Sequence, residues 1–184
     1  MQGRTGTNLL VGSQKSCRAG RVLVLGLGNI LLKDEGVGVH VVEQLQKQSL
    51  PGNVEVVDGG TAGLDVLLLN QGIDKLVVID AVRADKKPGT IYKVQFKTKE
   101  LDKLNQIFSH GSKISLHQVA LLDALSIAER TNCAPKEIVI IGVEPGEVDC
   151  GLELTGEVKR RIPDIVNTVL SEIKDDIHRE QTNR

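Results

Sequence analysis

Tryptophan is absent from this chain, and only one tyrosine and two phenylalanines stand among its 184 residues. The core must therefore be aliphatic, and no row of aromatic faces exists on which single-stranded bases could stack. An excess of either charge is also missing: 23 Lys and Arg face 24 Asp and Glu, for a formal net charge of -1. Clustered cations that displace counterions from a phosphate backbone are thus not expected, and nucleic acid is excluded as a partner. Cys17, Cys133 and Cys150 are odd in number, widely spaced and without a C-x-x-C pair. That pattern encodes neither a disulfide framework nor a zinc knuckle and suits a reducing cytoplasm. No apolar run approaches the roughly 18 residues of a membrane span, and the short patch at residues 9–11 is too small for a signal peptide.

What is present fits one globular domain, with 40% hydrophobic and 26% charged residues. Residues 1–20 read as a mobile extension, 21–178 as a single α/β domain and 179–184 as a polar tail. Apolar, β-branched runs recur at 22–25, 54–57, 76–79, 91–96 and 138–143, with helical patterns between several of them. The alternation predicts a three-layer α/β sandwich: a mostly parallel five-stranded sheet with helices on both faces. The first, third and fifth runs are almost continuous Val, Leu and Ile, as for strands covered on both sides, whereas Ile91-Tyr92-Lys93-Val94-Gln95-Phe96 alternates like an edge strand. The short, charged connection at 83–89 suits an antiparallel neighbour better than a helical crossover. A last helix is expected from near Thr155, with Val158, Ile162, Ile165, Val169 and Ile173 on one face and Pro163 kinking or splitting it.

In an open α/β sheet, ligands bind outside the carboxyl ends of the strands, so strand-ending residues are the place to look for chemistry. After the first run comes Gly26-Leu27-Gly28-Asn29-Ile30-Leu31-Leu32-Lys33-Asp34-Glu35-Gly36-Val37-Gly38. Leu31 stands where a dinucleotide fingerprint needs its third glycine, and Asp58 is too far from Gly28 to be the ribose acid. With Asp34 as N-cap, Glu35 falls in the first turn of a helix over 36–48, where Val37, Val41 and Leu45 face the sheet. Acids at a helix start are favourable on dipole grounds alone, so capping by itself would also account for the pair. Two further acids end strands: Asp58, in Asp58-Gly59-Gly60-Thr61, and Asp80, in Val77-Val78-Ile79-Asp80-Ala81.

His117 has the most telling context of the four histidines. Ser115-Leu116-His117-Gln118 reads as a capping box, which puts His117 in a helical first turn, where the helix dipole favours the neutral ring. A packing role on that helix is the alternative. His40 and His178 read as solvated or packing residues, and His110 is a loop residue held in reserve. Glu35, Asp80 and His117 would together offer two carboxylates and one imidazole, a donor set suited to a borderline divalent metal such as nickel or zinc. No H-E-x-x-H helix and no G-x-S-x-G elbow is present.

From Arg21 to Ile173, these segments in this order resemble the hydrogenase maturation endopeptidases, which trim a C-terminal extension from the large subunit of nickel-iron hydrogenases after nickel insertion. The resemblance is carried by the Gly28–Gly38 segment, by Asp58-Gly59-Gly60-Thr61-Ala62-Gly63, by Val78-Ile79-Asp80-Ala81 followed by Pro88-Gly89-Thr90, by Ser115-Leu116-His117-Gln118 and by Ile141-Gly142-Val143-Glu144-Pro145. It implies an endopeptidase with Glu35, Asp80 and His117 as metal-binding residues, and with Asp58, Gly59, Gly60 and Thr61 at the substrate and the cleavage step. It implies nickel supplied by the substrate, with zinc or cadmium able to take its place, a nickel-loaded large-subunit precursor as partner and a monomer when free. Alternatives from other classes are a non-catalytic nickel metallochaperone or docking module, and a nucleotide-binding α/β protein.

Overall fold

The computed structural model describes residues 20–62, 65, 72–100 and 116–182, the side chains of 116–120 and 175–182 excepted. Five strands form one sheet: β1 Val22–Leu27, β2 Val54–Gly60, β3 Lys75–Ala81, β4 Ile91–Lys97 and β5 Glu137–Val143, in the order β2-β1-β3-β5-β4. The β1–β2, β1–β3 and β3–β5 pairs are parallel and β4–β5 is antiparallel. The expected edge strand is therefore present, but its neighbour is β5. The short 83–89 connection leads past β3, because the place beside β3 is taken by β5, whose unbroken Ile138–Ile141 run can be buried on both faces.

Strand alternation divides the core in two. Val22 and Val24 of β1, Val77, Ile79 and Ala81 of β3, and Val139, Ile141 and Val143 of β5 face helices α1 (Val37–Leu45) and α3 (Gly156–Thr182). Leu23, Leu25 and Leu27, Leu76 and Val78, and Ile138 and Ile140 face α2 (Leu116–Arg130). This is the predicted three-layer arrangement. On α1, Val37, Val41 and Leu45 are fully buried, as their spacing required. On α3, Val158, Ile165, Val169 and Ile173 are buried and Ile162 packs against the same cluster. Pro163 does not split α3: the helix runs through it, with the proline on the exposed side. The backbone bond that proline forfeits there leaves a carbonyl toward water instead of in the core.

Close contact, not helix propensity, fixes where α1 begins. A Cβ on Gly38 would lie 2.3 Å from the carbonyl oxygens of both Leu27 and Ile79. Only glycine lets the helix start this near the ends of β1 and β3.

Candidate active site at the carboxyl edge of the sheet

The acid pair after β1 does not have the arrangement its spacing suggests. Residues Lys33–Gly36 close a 3-10 turn ahead of α1, the residue at the N-cap of α1 is Gly36, and no side chain caps the helix. Asp34 is thus not the cap. Its carboxylate turns inward, is fully buried, and accepts four hydrogen bonds: from the amides of Gly146 (2.8 Å), Glu147 (3.1 Å) and Thr155 (2.7 Å) and from the Thr155 hydroxyl (2.8 Å). Four donors offset much of the cost of burying this carboxylate, and one exposed amide pair at a helix start could not compete with them. Glu35, the next residue, is half-buried and belongs to the same turn.

That turn packs against β3. At the carboxyl end of β3 stands Asp80, 1% exposed, its Oδ1 accepting the Ala81 amide at 2.9 Å. Asp80 lies one residue beyond Ile79, the partner of Gly26, and opposite Gly142 of β5. By strand alternation it shares a face with Leu76 and Val78, the face that α2 covers. The second residue of α2 is His117. The turn carrying Glu35 and the strand carrying Asp80 meet at this edge, and α2, which leads by a short connection to the start of β5, begins toward the same end of the sheet. The His117 ring lies outside the described side chains, as do Ser115 of the expected capping box and His110. Among the described residues no group of three or more His, Cys, Asp and Glu side chains is arranged to hold an ion. Glu35 and Asp80 supply the two carboxylates of the expected set, and oxygen donors with one imidazole are a set that suits nickel or zinc.

On the β2 side the predicted Asp-Gly-Gly turn is bound to the same edge. Gly60 has φ +45, its amide bonds the Asp58 Oδ1 at 2.8 Å, and its carbonyl accepts the Gly28 amide at 2.9 Å. Asp58, Thr61 and Ala62 are exposed and Gly59 is buried, packed where a Cβ would strike Leu25. Gly28, with φ +134, carries no side chain because a Cβ would sit 1.9 Å from the Glu35 carbonyl oxygen. His40 lies elsewhere on α1, with Nδ1 3.6 Å from the Glu43 carboxylate.

Sequence reasoning named Glu144 only within a segment of the resemblance and gave it no role. It is buried just after β5, takes the Ala84 amide on both oxygens (3.2 and 2.9 Å) and the Tyr92 hydroxyl at 2.5 Å, and so holds the 83–90 loop to the sheet edge. Burial and this bond push the Tyr92 hydroxyl up to about 12. The signal available was an acid followed by proline at the end of an apolar strand.

Comparison with known proteins shows the family. A family model described as hydrogenase maturation protease matches residues 39–172. The hydrogenase 2 maturation protease of Escherichia coli strain K12 is 38% identical over 157 residues, which cover 84% of this chain and 92% of that protein. The solved structure of the hydrogenase maturating endopeptidase HybD from Escherichia coli superposes with a TM-score of 0.74 at 36% identity, covering 84% of this chain and 93% of that one. The [NiFe] hydrogenase maturation protease HybD from Thermococcus kodakarensis gives 0.67 at 27% identity, over 83% and 99% of the two chains.

Proposed function

The chain belongs to the hydrogenase maturation protease family, and on that premise we propose that it removes the C-terminal extension of a nickel-iron hydrogenase large-subunit precursor after nickel insertion, recognising the nickel the precursor already holds. It is a hydrolase, an endopeptidase. The observation that supports the nickel reading is that the Glu35 turn packs on the strand that ends in Asp80, and Asp80 shares the sheet face covered by the helix that opens at His117.

Glu35, Asp80 and His117 are the residues that would meet the precursor's nickel, so that a metal-free precursor lacks its anchor. Anchoring would bring the scissile peptide to the edge in a fixed orientation, which is worth a large share of a hydrolytic barrier. Asp58 and Thr61, exposed beside that edge, are placed to line the substrate chain. The Asp58 carboxylate is the group we assign to accept the proton of the attacking water, since hydrolysis needs a base within hydrogen-bond reach of it. One feature of this edge supports docking of a cation: the bonds described for Asp34, Asp58 and Glu144 all come from neutral N–H and O–H groups, so these carboxylates keep their negative field. Among the described residues no helix is long and apolar enough to cross a membrane.

The test incubates the protein with nickel-loaded and nickel-free precursor and reads the mass of the large subunit. Loss of the extension from the loaded form alone is the expected result. Equal cleavage of both forms would refute nickel recognition, and cleavage of neither would refute this substrate.

A further inference from the structure

The Glu35 turn is four residues long, Lys33–Gly36. Its local bonds include the Leu31 amide to Asn29 Oδ1 (3.0 Å), the Leu32 amide to the Asn29 carbonyl (3.0 Å), the Glu35 amide to the Leu32 carbonyl (3.2 Å) and the Val37 amide to the Asp34 carbonyl, and α1 begins only at Val37. Lys33 sits at φ 46, a left-handed conformation that a side-chain-bearing residue keeps only where its surroundings impose it. What imposes it is the loop between β5 and α3, residues 144–155. The Lys33 amide bonds the Gly151 carbonyl and the Gly151 amide bonds the Leu31 carbonyl, both at 2.9 Å, forming a short parallel bridge at Leu32 and Gly151. The Asp34 amide bonds the Glu147 carbonyl at 3.2 Å, and Lys33 Nζ reaches the Glu147 carboxylate at 2.5 Å.

At the centre of these ties is the Asp34 carboxylate. Oδ2 takes the amides of Gly146 and Glu147 and the Thr155 hydroxyl, while Oδ1 takes the Thr155 amide. A role in packing alone would not call for a charge here, because an apolar side chain of similar volume fills a core with less desolvation cost. Four directed bonds fix orientation instead. From the other side, the Glu35 carbonyl rests against Gly28, leaving the Glu35 backbone wedged between the β1 exit and the turn that the loop holds.

We propose that Asp34 is a positioning residue for Glu35, fixing the 3-10 turn to the β5–α3 loop so that this loop, and not α1, sets where the Glu35 carboxylate stands. The inference rests on the assignment of Glu35 to the site that meets nickel. It adds Asp34 and Thr155 to the residues on which that site depends, although neither touches the metal or the peptide.

The experiment titrates nickel(II) into the full-length protein by calorimetry and measures precursor cleavage, at a temperature where circular dichroism shows each variant folded. Asp34→Asn puts an amide donor against amide donors and should weaken nickel(II) binding about ten-fold or more, as loss of a group that orients a metal ligand does. Thr155→Val removes one of the four bonds and should weaken it about threefold, by the same logic on a smaller scale. Val169→Ala, in the middle of α3, is the comparator: it lowers melting temperature through the core and should leave nickel(II) affinity and kcat unchanged. If Asp34→Asn does not fold, Thr155→Val against Val169→Ala decides. Unchanged affinity in folded Asp34→Asn or Thr155→Val, or an equal loss in Val169→Ala, overturns the positioning role while Glu35→Gln still loses binding. Should Glu35→Gln bind nickel(II) as wild type does, the site assignment itself has failed and the inference with it.

Discussion

The two ends of β3 hold charge in opposite ways. At its amino end Lys75 is 3% exposed and meets Glu172, itself 2% exposed, at 3.2 Å and Glu137 at 3.1 Å; Lys93 reaches the same Glu172 from β4, and Lys136 meets Asp74 at 2.6 Å. Every carboxylate in that group has an ammonium. At the carboxyl end, Asp34, Asp58 and Glu144 are bonded by neutral amides and hydroxyls, and the ion pair described there, Lys33 with Glu147, is on the partly exposed rim. Charges cancelled in place serve the fold. Charges oriented by neutral dipoles are stabilised yet still project a field, which is what the proposed docking of a cation would require.

The largest expected effect breaks the carboxyl end. Glu35→Gln and Asp80→Asn should each reduce precursor processing by at least about a hundredfold, because groups that act as a unit fail together, and the double variant should add little. Mass analysis of the large subunit measures this. Thermal unfolding of Glu35→Gln should remain near wild type, since a half-buried residue at a turn carries little packing. His110→Ala should process normally.

At the amino end the outcome should reverse. Glu172→Ala takes one carboxylate from buried Lys75, which keeps that of Glu137 at 3.1 Å, and should cost about 1–3 kcal/mol of unfolding free energy in denaturant titration, while processing per folded molecule stays intact. Its pH dependence has a definite sign. Burial alone would raise the Glu172 carboxyl, but bonds from Lys93 and Lys75 outweigh it and hold the group below its usual range. The stability it contributes is therefore present above the ordinary glutamate value of about 4.3 and is lost as pH falls through the lower folded-state value. Melting curves between neutral and acidic pH should show this loss in wild type and a smaller one in Glu172→Gln.

A smaller effect separates the two ends at alkaline pH. Tyr92 is raised to about 12, first by burial and then by its bond to Glu144. Its contribution is complete below the ordinary tyrosine value of about 10 and is lost as pH rises toward the folded value. Tyr92→Phe should flatten that alkaline decline in melting temperature and leave the acid side unchanged. The smallest effect belongs to the rim: Glu147→Gln should cost less than about 1 kcal/mol, since an exposed ion pair is screened by water and salt.

Much of this molecule was legible before folding. Strand identity, the covered and edge strands, the buried faces of α1 and α3 and the position of Asp80 at a strand end follow from apolar periodicity, because a residue's burial in regular structure depends on its place in a repeat of two or 3.6 residues. The ordered segments also carried the family. Two local rules failed for one reason. Asp34 obeyed the grammar of a helix cap, and the 83–89 connection obeyed that of an antiparallel neighbour, but each was decided by a partner distant in sequence: Thr155 lies 121 residues beyond Asp34, and β5 lies between β3 and β4.

The sequence by itself determined which residues could supply chemistry at the carboxyl edge and which would be core. Only the tertiary structure decided between the neighbouring acids, burying Asp34 among donors from the β5–α3 loop and leaving Glu35 half-buried in a turn packed against β3. Adjacent residues with the same charge and similar propensities are equivalent to any local rule. They become different only when another part of the chain brings four donors to one carboxylate and leaves the other in a turn against the strand that ends in Asp80.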